Sequence, residues 1–377
     1  MHSRFVGSAV LVLAVVPVAA GAPLAASGHA APRRDRGLIL FLDAGRGEQL
    51  ARVAANGVVD AAVADGRGGW FVGGSFTRLG HRRHIGIAHV LRGCAVDESW
   101  QGSVGSVSGR AVSVQALARA GTRLYLAGAF ARVGGLHRPG LGALDTDSGS
   151  GIRGWRPRPL LWLDVGALLA TGPRLLVAGQ FSYPTAGISA LDARTGAIDP
   201  GWNPHLRVIG DAGSFSTLLR HDGRVYVAGS FRVAGLRRNG LVALNPRSGR
   251  PDTRWAPRAQ NCPVCNHFAV LYGLAASRSR LYVSGAFARI DGAARDGLAA
   301  LDPGSGALIR RWQPARGGHD ILHLTLSNDR LYAGGASGLF ALRATTGARV
   351  QLPSLKTPQQ VLALTTSGKE LLVAGRP

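Results

Sequence analysis

The chain has 377 residues and a formal net charge of +23, and among its 44 cationic side chains only Lys356 and Lys369 are lysines. Three cysteines exclude a disulfide-stapled scaffold. The charge excess opposes self-association and attracts anionic polymers or surfaces, although arginines scattered over solvent by an Arg-, Ala- and Gly-rich composition would give the same total.

Met1-His2-Ser3-Arg4 is a short basic start, and Phe5 to Ala20 is an uncharged apolar run followed by small residues at Ala20, Ala22 and Ala30. This is the pattern of a secretory signal, and the run is short for a span of about 20 residues. An uncleaved N-terminal anchor is the alternative. No later segment approaches a membrane span. The expectation is a signal peptide over residues 1–30, one domain over residues 31–377, and a secreted or envelope-associated monomer. Nucleic acid is not an expected partner, because no basic stretch is interleaved with aromatics that could stack on bases.

From Trp70 onward a short apolar strand ending in Gly-x-Phe returns: Trp70 to Phe76, Leu124 to Phe130, Leu175 to Phe181, Val225 to Phe231 and Leu281 to Phe287. Weaker copies follow at Leu331 to Ser337 and Leu371 to Pro377. The anchoring glycines, Gly74, Gly128, Gly179, Gly229, Gly285, Gly335 and Gly375, are 40 to 56 residues apart. A period of this length means one supersecondary unit per repeat. The second copy shows its parts. Val112 to Ala118 reads as a first strand, Leu124 to Phe130 as a second that is apolar on both faces, Leu141 to Asp145 as a third, and a fourth ends at Trp155-Arg156-Pro157. Sheets with two apolar faces must stack radially, which predicts an all-β, seven-bladed β-propeller of four-stranded antiparallel blades. Trp100, Trp155, Trp202, Trp255 and Trp312 follow strand register and are expected in the core between blades. The last copy supplies only two strands, Gln360 to Thr366 and Leu371 to Gly375. The first segment supplies the missing kind, Leu38 to Asp43 and Glu48 to Val53, so two plus two strands would close the ring and remove its open edges. The sixth copy lacks a long loop between second and third strands, which predicts a shallow notch in one face.

The repeat resembles the delta-60 family of extracellular propeller repeats: Gly-x-Phe, a Gly-rich loop with a basic residue, a Leu-Ala-x-Leu-Asn/Asp strand, then Asp-x-x-aromatic-x-Pro, as in Asp199 to Pro204 and Asp252 to Pro257. The resemblance covers residues 58–313 well and implies a secreted or surface propeller without an agreed activity. A weaker similarity is to quinoprotein propellers, through Ala190-Leu191-Asp192-Ala193-Arg194-Thr195-Gly196. There the tryptophan follows the glycine by six residues rather than that family's four. Neither adjacent cysteines nor a calcium-holding carboxylate cluster accompanies it, so no cofactor and no metal site are expected.

Asp145, Asp192 and Asp302 precede Gly turns and are expected to accept turn N–H groups. His319 and Asp320 lie just before a first strand, at one mouth of the expected channel. The densest cationic signal is in the loops between second and third strands, which present Arg82, Arg83 and His84, then His137 and Arg138, Arg237 and Arg238, and Arg295. With His319 and Asp320 these are the candidate ligand-binding residues. Arg138, Arg238 and Arg295 stand two residues before Gly140, Gly240 and Gly297, so a fixed structural hydrogen bond is the alternative for them. Cys262 and Cys265 are candidates for a loop-stapling disulfide, which leaves Cys94 unpaired. No catalytic residue is assigned. The expected function is a secreted, non-catalytic binding or scaffold propeller engaging an anionic envelope polymer or a protein partner through a basic face. The alternative is a secreted propeller enzyme, a lyase, hydrolase or quinoprotein relative, acting at the channel mouth.

Overall fold

Each Gly-x-Phe segment is the second strand of an antiparallel sheet. In the computed structural model these strands are Trp70–Gly74, Arg123–Ala129, Arg174–Gln180, Arg224–Val233, Arg280–Ala286, Arg330–Gly335 and Glu370–Arg376. The structure describes residues 37–377 except 107–108, 110, 159–163, 181–186, 208–213, 234–238, 261–268, 316 and 354–356, together with Leu11–Val12. We number the sheets one to seven by their second strands. The first strands are Val59–Ala64, Ser113–Ala120, Asp164–Thr171, Ser214–His221, Val270–Ser277, Ile321–Ser327 and Gln360–Ser367. The third strands are Ile87–Val90, Leu141–Asp145, Ile188–Asp192, Asn239–Leu244, Leu298–Leu301 and Gly338–Arg343. No helix occurs among the described residues. Leu11–Val12 pairs antiparallel with Leu218 and Leu219 of a first strand.

The anchoring glycine has a local cause. In every sheet the register between first and second strands slips by one residue, leaving Asp60, Gln115, Gly166, Ser216, Tyr272, Leu322 and Leu362 without a ladder partner. The residue before each slip faces the glycine, as Val114 faces Gly128 and Leu271 faces Gly285. A bulge bends the first strand over its partner. A Cβ on Gly128 or Gly285 would strike the carbonyl of Ser113 or Val270, and both glycines have positive φ (152° and 159°). Glycine is therefore required where the bulge closes on the second strand.

The outermost strand departs from expectation. Sheets one, two, three and five are three-stranded, sheet four adds Leu11–Val12 and Leu206–Arg207 to its three strands, and in all five the expected fourth strand is reduced to a single bridge: Val90 with Val96, Leu144 with Gly151, Leu191 with Ile198, Leu244 with Pro251 and Leu301 with Leu308. Among the described residues, only sheet six, with Arg349–Val350, and sheet seven have the expected outer strand. The Asp-x-x-Trp motif itself ends the ladder. Asp252 Oδ1 accepts the N–H groups of Arg254 (3.0 Å) and Trp255 (3.4 Å), and Trp155 and Trp312 donate their N–H three residues back, so the chain curls into a turn. The tryptophans are core as expected, with Trp155, Trp202, Trp255 and Trp312 at most 1 % exposed.

Sheet seven is assembled from both ends of the described chain. Glu370–Arg376 pairs with Gln360–Ser367 on one side and with Gly37–Asp43 on the other, from Leu38 opposite Gly375 to Asp43 opposite Glu370, and Gln49–Ala55 forms the outer strand. First strands pack on first strands throughout, and Val59–Ala64 touches both Ser113–Ala120 and Gln360–Ser367.

Neighbouring sheets are also latched by hydrogen bonds at one recurrent place, one or two residues after the third strand. Tyr125 Oη donates to the Ala193 carbonyl (2.6 Å), Tyr226 to Pro303 (2.7 Å), Tyr282 to Ala344 (2.8 Å) and Tyr332 to Ala44 (3.0 Å). Sheets one and three carry Phe71 and Leu176 at that position, and there the indole N–H groups of Trp100 and Trp202 reach Thr146 and Pro246 instead. Tyr332 joins residues far apart in the chain. Tyr332→Phe leaves the buried Ala44 carbonyl unpaired and is expected to cost about 1–3 kcal/mol, read as a lowered urea midpoint at unchanged slope. A midpoint equal to that of the parent would remove this bond from the account.

Candidate functional site

The basic loops are short β-hairpins laid over the sheets. Arg78–Leu79 pairs with Arg82–Arg83, Arg132–Val133 with Leu136–His137, and Arg289–Ile290 with Ala293–Ala294. Each is pinned by a strand from the segment that precedes its own sheet: Ala55 opposite Leu79, Val104–Gly105 along Arg132–Val133, and Ala259–Gln260 along Arg289–Ile290. One arginine in each caps its own turn, through Arg78 Nη2 to the His81 carbonyl (3.1 Å), Arg132 Nη1 to Gly135 (3.3 Å) and Arg289 Nη1 to Gly292 (2.8 Å). The register sets Arg78 directly opposite Arg83 and Arg132 opposite His137. Like charges facing across a ladder, as Arg78 and Arg83 do, are unfavourable unless a counter-charge joins them.

The third loop residue differs between sheets. Arg138 donates Nε to the Trp155 carbonyl (3.1 Å) and Nη2 to Arg153 (3.2 Å), and Arg295 donates Nη2 to Arg310 (2.9 Å). Both guanidinium groups tie the hairpin to the outer turn, the structural alternative raised by their spacing. In sheet one this position is His84, 9 % exposed. Burial pushes its imidazole below the usual value, opposed by the carboxylates of Asp97 and Glu98. Beside it Arg82 Nε pairs with Glu98 Oε1 at 2.6 Å, and Arg83 is exposed. These residues line a cavity of about 470 Å³ with Trp100, Gln101 and Ser103.

The remaining candidates are dispersed. His319 is paired with a residue other than Asp320. Its Nε2 pairs with Asp296 Oδ1 at 3.1 Å, while the Asp320 backbone carbonyl accepts the Ala336 N–H. Arg237 and Arg238, and the cysteines Cys262 and Cys265, lie outside the described residues. Cys94 is free and buried, and burial, with Glu370 adding, pushes its thiol up to about 11. Asp145, Asp192 and Asp302 accept turn N–H groups as expected, for example Asp192 Oδ1 from Thr195 at 2.7 Å. In sheet six Gly335 pairs directly with Gly338, so no basic hairpin interrupts that face.

Three features escaped the sequence. His89 sits between two carboxylates, with Nδ1 2.8 Å from Asp97 Oδ2 and Nε2 3.1 Å from Asp65 Oδ2, and its ring stacks on Phe71 at 4.5 Å. Burial opposes its charge, but the two hydrogen bonds and charges outweigh burial and hold it above the usual histidine value. The available signal was comparative, since other third strands carry Ala143, Ala190, Ala243 and Ala300 at that register. On a first strand, burial pushes the Asp60 carboxyl up to about 6, against the pull of Ser113 and Arg376. A second cavity, of about 630 Å³, lies between Arg156, Arg158 and the Ile198–Asn203 turn. Among the described residues no His, Cys, Asp and Glu cluster could hold a metal ion, and no helix is long and apolar enough to cross a membrane.

Comparison with known proteins bears on the fold. The family described as "Domain of unknown function (DUF5122) beta-propeller" matches residues 221–254. No curated protein matches the chain. Among solved structures, the extracellular domain of BT4673 from B. thetaiotaomicron is similar with TM-score 0.53 and 14 % identity, over 85 % of this chain and 38 % of that one. The Pan2 WD40 domain of Neurospora crassa gives 0.49 and 13 %, over 85 % and 90 %. BamB from Moraxella catarrhalis gives 0.37 and 12 %, over 89 % and 90 %. With its strand-rich repeats and the match over residues 221–254, the chain carries an all-β β-propeller domain.

Proposed function

We propose that the protein is a secreted, non-catalytic seven-bladed propeller of the delta-60 repeat type, closed two plus two, whose basic hairpin face binds an anionic envelope polymer. The pairing of Gly37–Asp43 with Glu370–Arg376 and the contacts between successive first strands support the closed ring. The uncharged Phe5 to Ala20 run supports export, with residues 1–30 removed. The observation that carries binding is the facing of Arg78 with Arg83 on a hairpin pinned at fixed register. Held together, such cations form charge-assisted hydrogen bonds to an arriving anion at little ordering cost.

The test is retention on immobilised polygalacturonate as sodium chloride rises. Exposed charges are screened beyond about 8 Å at 0.15 M salt, so elution is expected at a defined salt concentration that falls markedly in the Arg78→Ala/Arg83→Ala/Arg132→Ala variant. Retention indifferent to salt, or equal in the variant, would sink the reading.

A further inference from the structure

The 470 Å³ cavity of sheet one is lined by His84, at the position where sheets two and five carry Arg138 and Arg295. The equivalence of His84, Arg138 and Arg295 is fixed by backbone bonds. Their N–H groups donate to Thr77, Ala131 and Ala288, and Gly86, Gly140 and Gly297, two residues on, donate to Phe76, Phe130 and Phe287. In sheet two the guanidinium fills the space below the hairpin and satisfies the carbonyls of Arg153 and Trp155; in sheet five it satisfies that of Arg310. The corresponding carbonyls in sheet one belong to Glu98 and Trp100, and neither receives a donor among the described residues. The cleft therefore presents carbonyl acceptors on its outer wall and, on its inner wall, the guanidinium groups of Arg82 and Arg83 beside the His84 imidazole. Arg82 is committed to Glu98, which leaves Arg83 and His84 for a ligand.

We propose that this cleft is a subsite for one hydroxyl-bearing anionic unit, an acidic sugar or a polyol phosphate. Its anionic group lies on Arg83 and His84, and its hydroxyls donate to the Glu98 and Trp100 carbonyls. The proposal rests on the reading of the basic face above and narrows it from charge to shape. A bare anion brings no donors for the two carbonyls, and an uncharged polyol brings no partner for Arg83. Only a unit with both engages both walls. The volume lies within the ~300–1,000 Å³ of small-molecule pockets.

The deciding variant is His84→Arg, which restores the side chain that sheets two and five carry and so is compatible with the fold. It adds positive charge while filling the cleft. By titration calorimetry the parent is expected to bind trigalacturonate or glycerol phosphate saturably, at one site per chain, and the two probes separate the sugar source from the phosphate source. His84→Arg is expected to lose at least tenfold in that affinity even though it adds a positive charge to the same face. Equal or tighter oligomer binding by His84→Arg, or no saturable binding of either probe to the parent, overturns the subsite and leaves the basic face standing. Loss of salt-dependent retention in the parent overturns the face itself. Arg83→Ala checks the inner wall independently, and undiminished affinity in that variant also counts against the subsite.

Discussion

Deleting residues 37–53 is expected to abolish cooperative folding. The segment supplies the third strand and most of the fourth strand of sheet seven, and Leu38, Ile39, Leu40, Phe41 and Leu42 are at most 4 % exposed. Burying a large apolar side chain is worth about 1.5–3 kcal/mol, so these five together contribute on the order of the whole net stability of a domain, about 5–15 kcal/mol. The deletion also strips Glu370–Arg376 of its partner and leaves an apolar strand edge open to other chains. Loss of the thermal transition together with concentration-dependent aggregation is the expected result. A truncated chain that melts at the parent temperature would show that the two ends do not support one another. Tyr332 provides a smaller probe of the same junction, because its hydroxyl reaches Ala44 from sheet six.

The second large effect is acid lability centred on His323. This residue follows the bulge of its first strand, at the register occupied elsewhere by Ala61, Ala116, Ala167, Thr217, Gly273 and Ala363. Its cross-strand neighbour is Gly334. It is 1 % exposed, and neither ring nitrogen has a partner among the described residues. Burial pushes it down to about 3. The folded value lies below the unfolded one, so the contribution is intact above about pH 6.5 and is lost as pH falls, when the unfolded chain takes up a proton that the folded chain refuses. Each pH unit in that window costs about 1.4 kcal/mol, hence about 2 kcal/mol between pH 7 and pH 5. His89, raised by its two carboxylates, works in the opposite sense, so the informative quantity is the difference between two proteins. His323→Leu retains packing and removes the proton, and its stability is expected to fall less steeply by that amount. Parallel stability–pH curves for parent and variant would mean that the site admits water or finds a partner.

The sequence conveyed most of the architecture because the repeat carries its own geometry. Second strands read from the Gly-x-Phe copies agree with the observed ones to within a few residues, as Leu124 to Phe130 does with Arg123–Ala129. The pairing of Leu38 to Asp43 with Leu371 to Gly375 was legible because each end lacked what the other had. The outer strands were over-read. The sequence places a fourth strand ending at each Trp-x-Pro, whereas Asp199 and Asp252 redirect their chains into turns. The candidate site was half legible. Composition located the basic loops, and the spacing of Arg138 and Arg295 before Gly140 and Gly297 raised the fixed hydrogen bonds that set them apart from Arg83, which faces solvent, without naming the outer carbonyls as their partners. The vacancy below His84 was invisible in sequence, because a histidine in a cationic loop reads as one more base rather than as a shortened arm.

The slipped register of the innermost strands has an evolutionary corollary. Asp60, Gln115, Gly166, Ser216, Tyr272, Leu322 and Leu362 stand at one structural level and answer to no partner across the sheet. An acid, an amide, a hydroxyl, a phenol and two aliphatic chains have been accepted there at no expense to pairing. That level is where this scaffold can vary its interior chemistry most freely, while the glycines opposite must stay as they are.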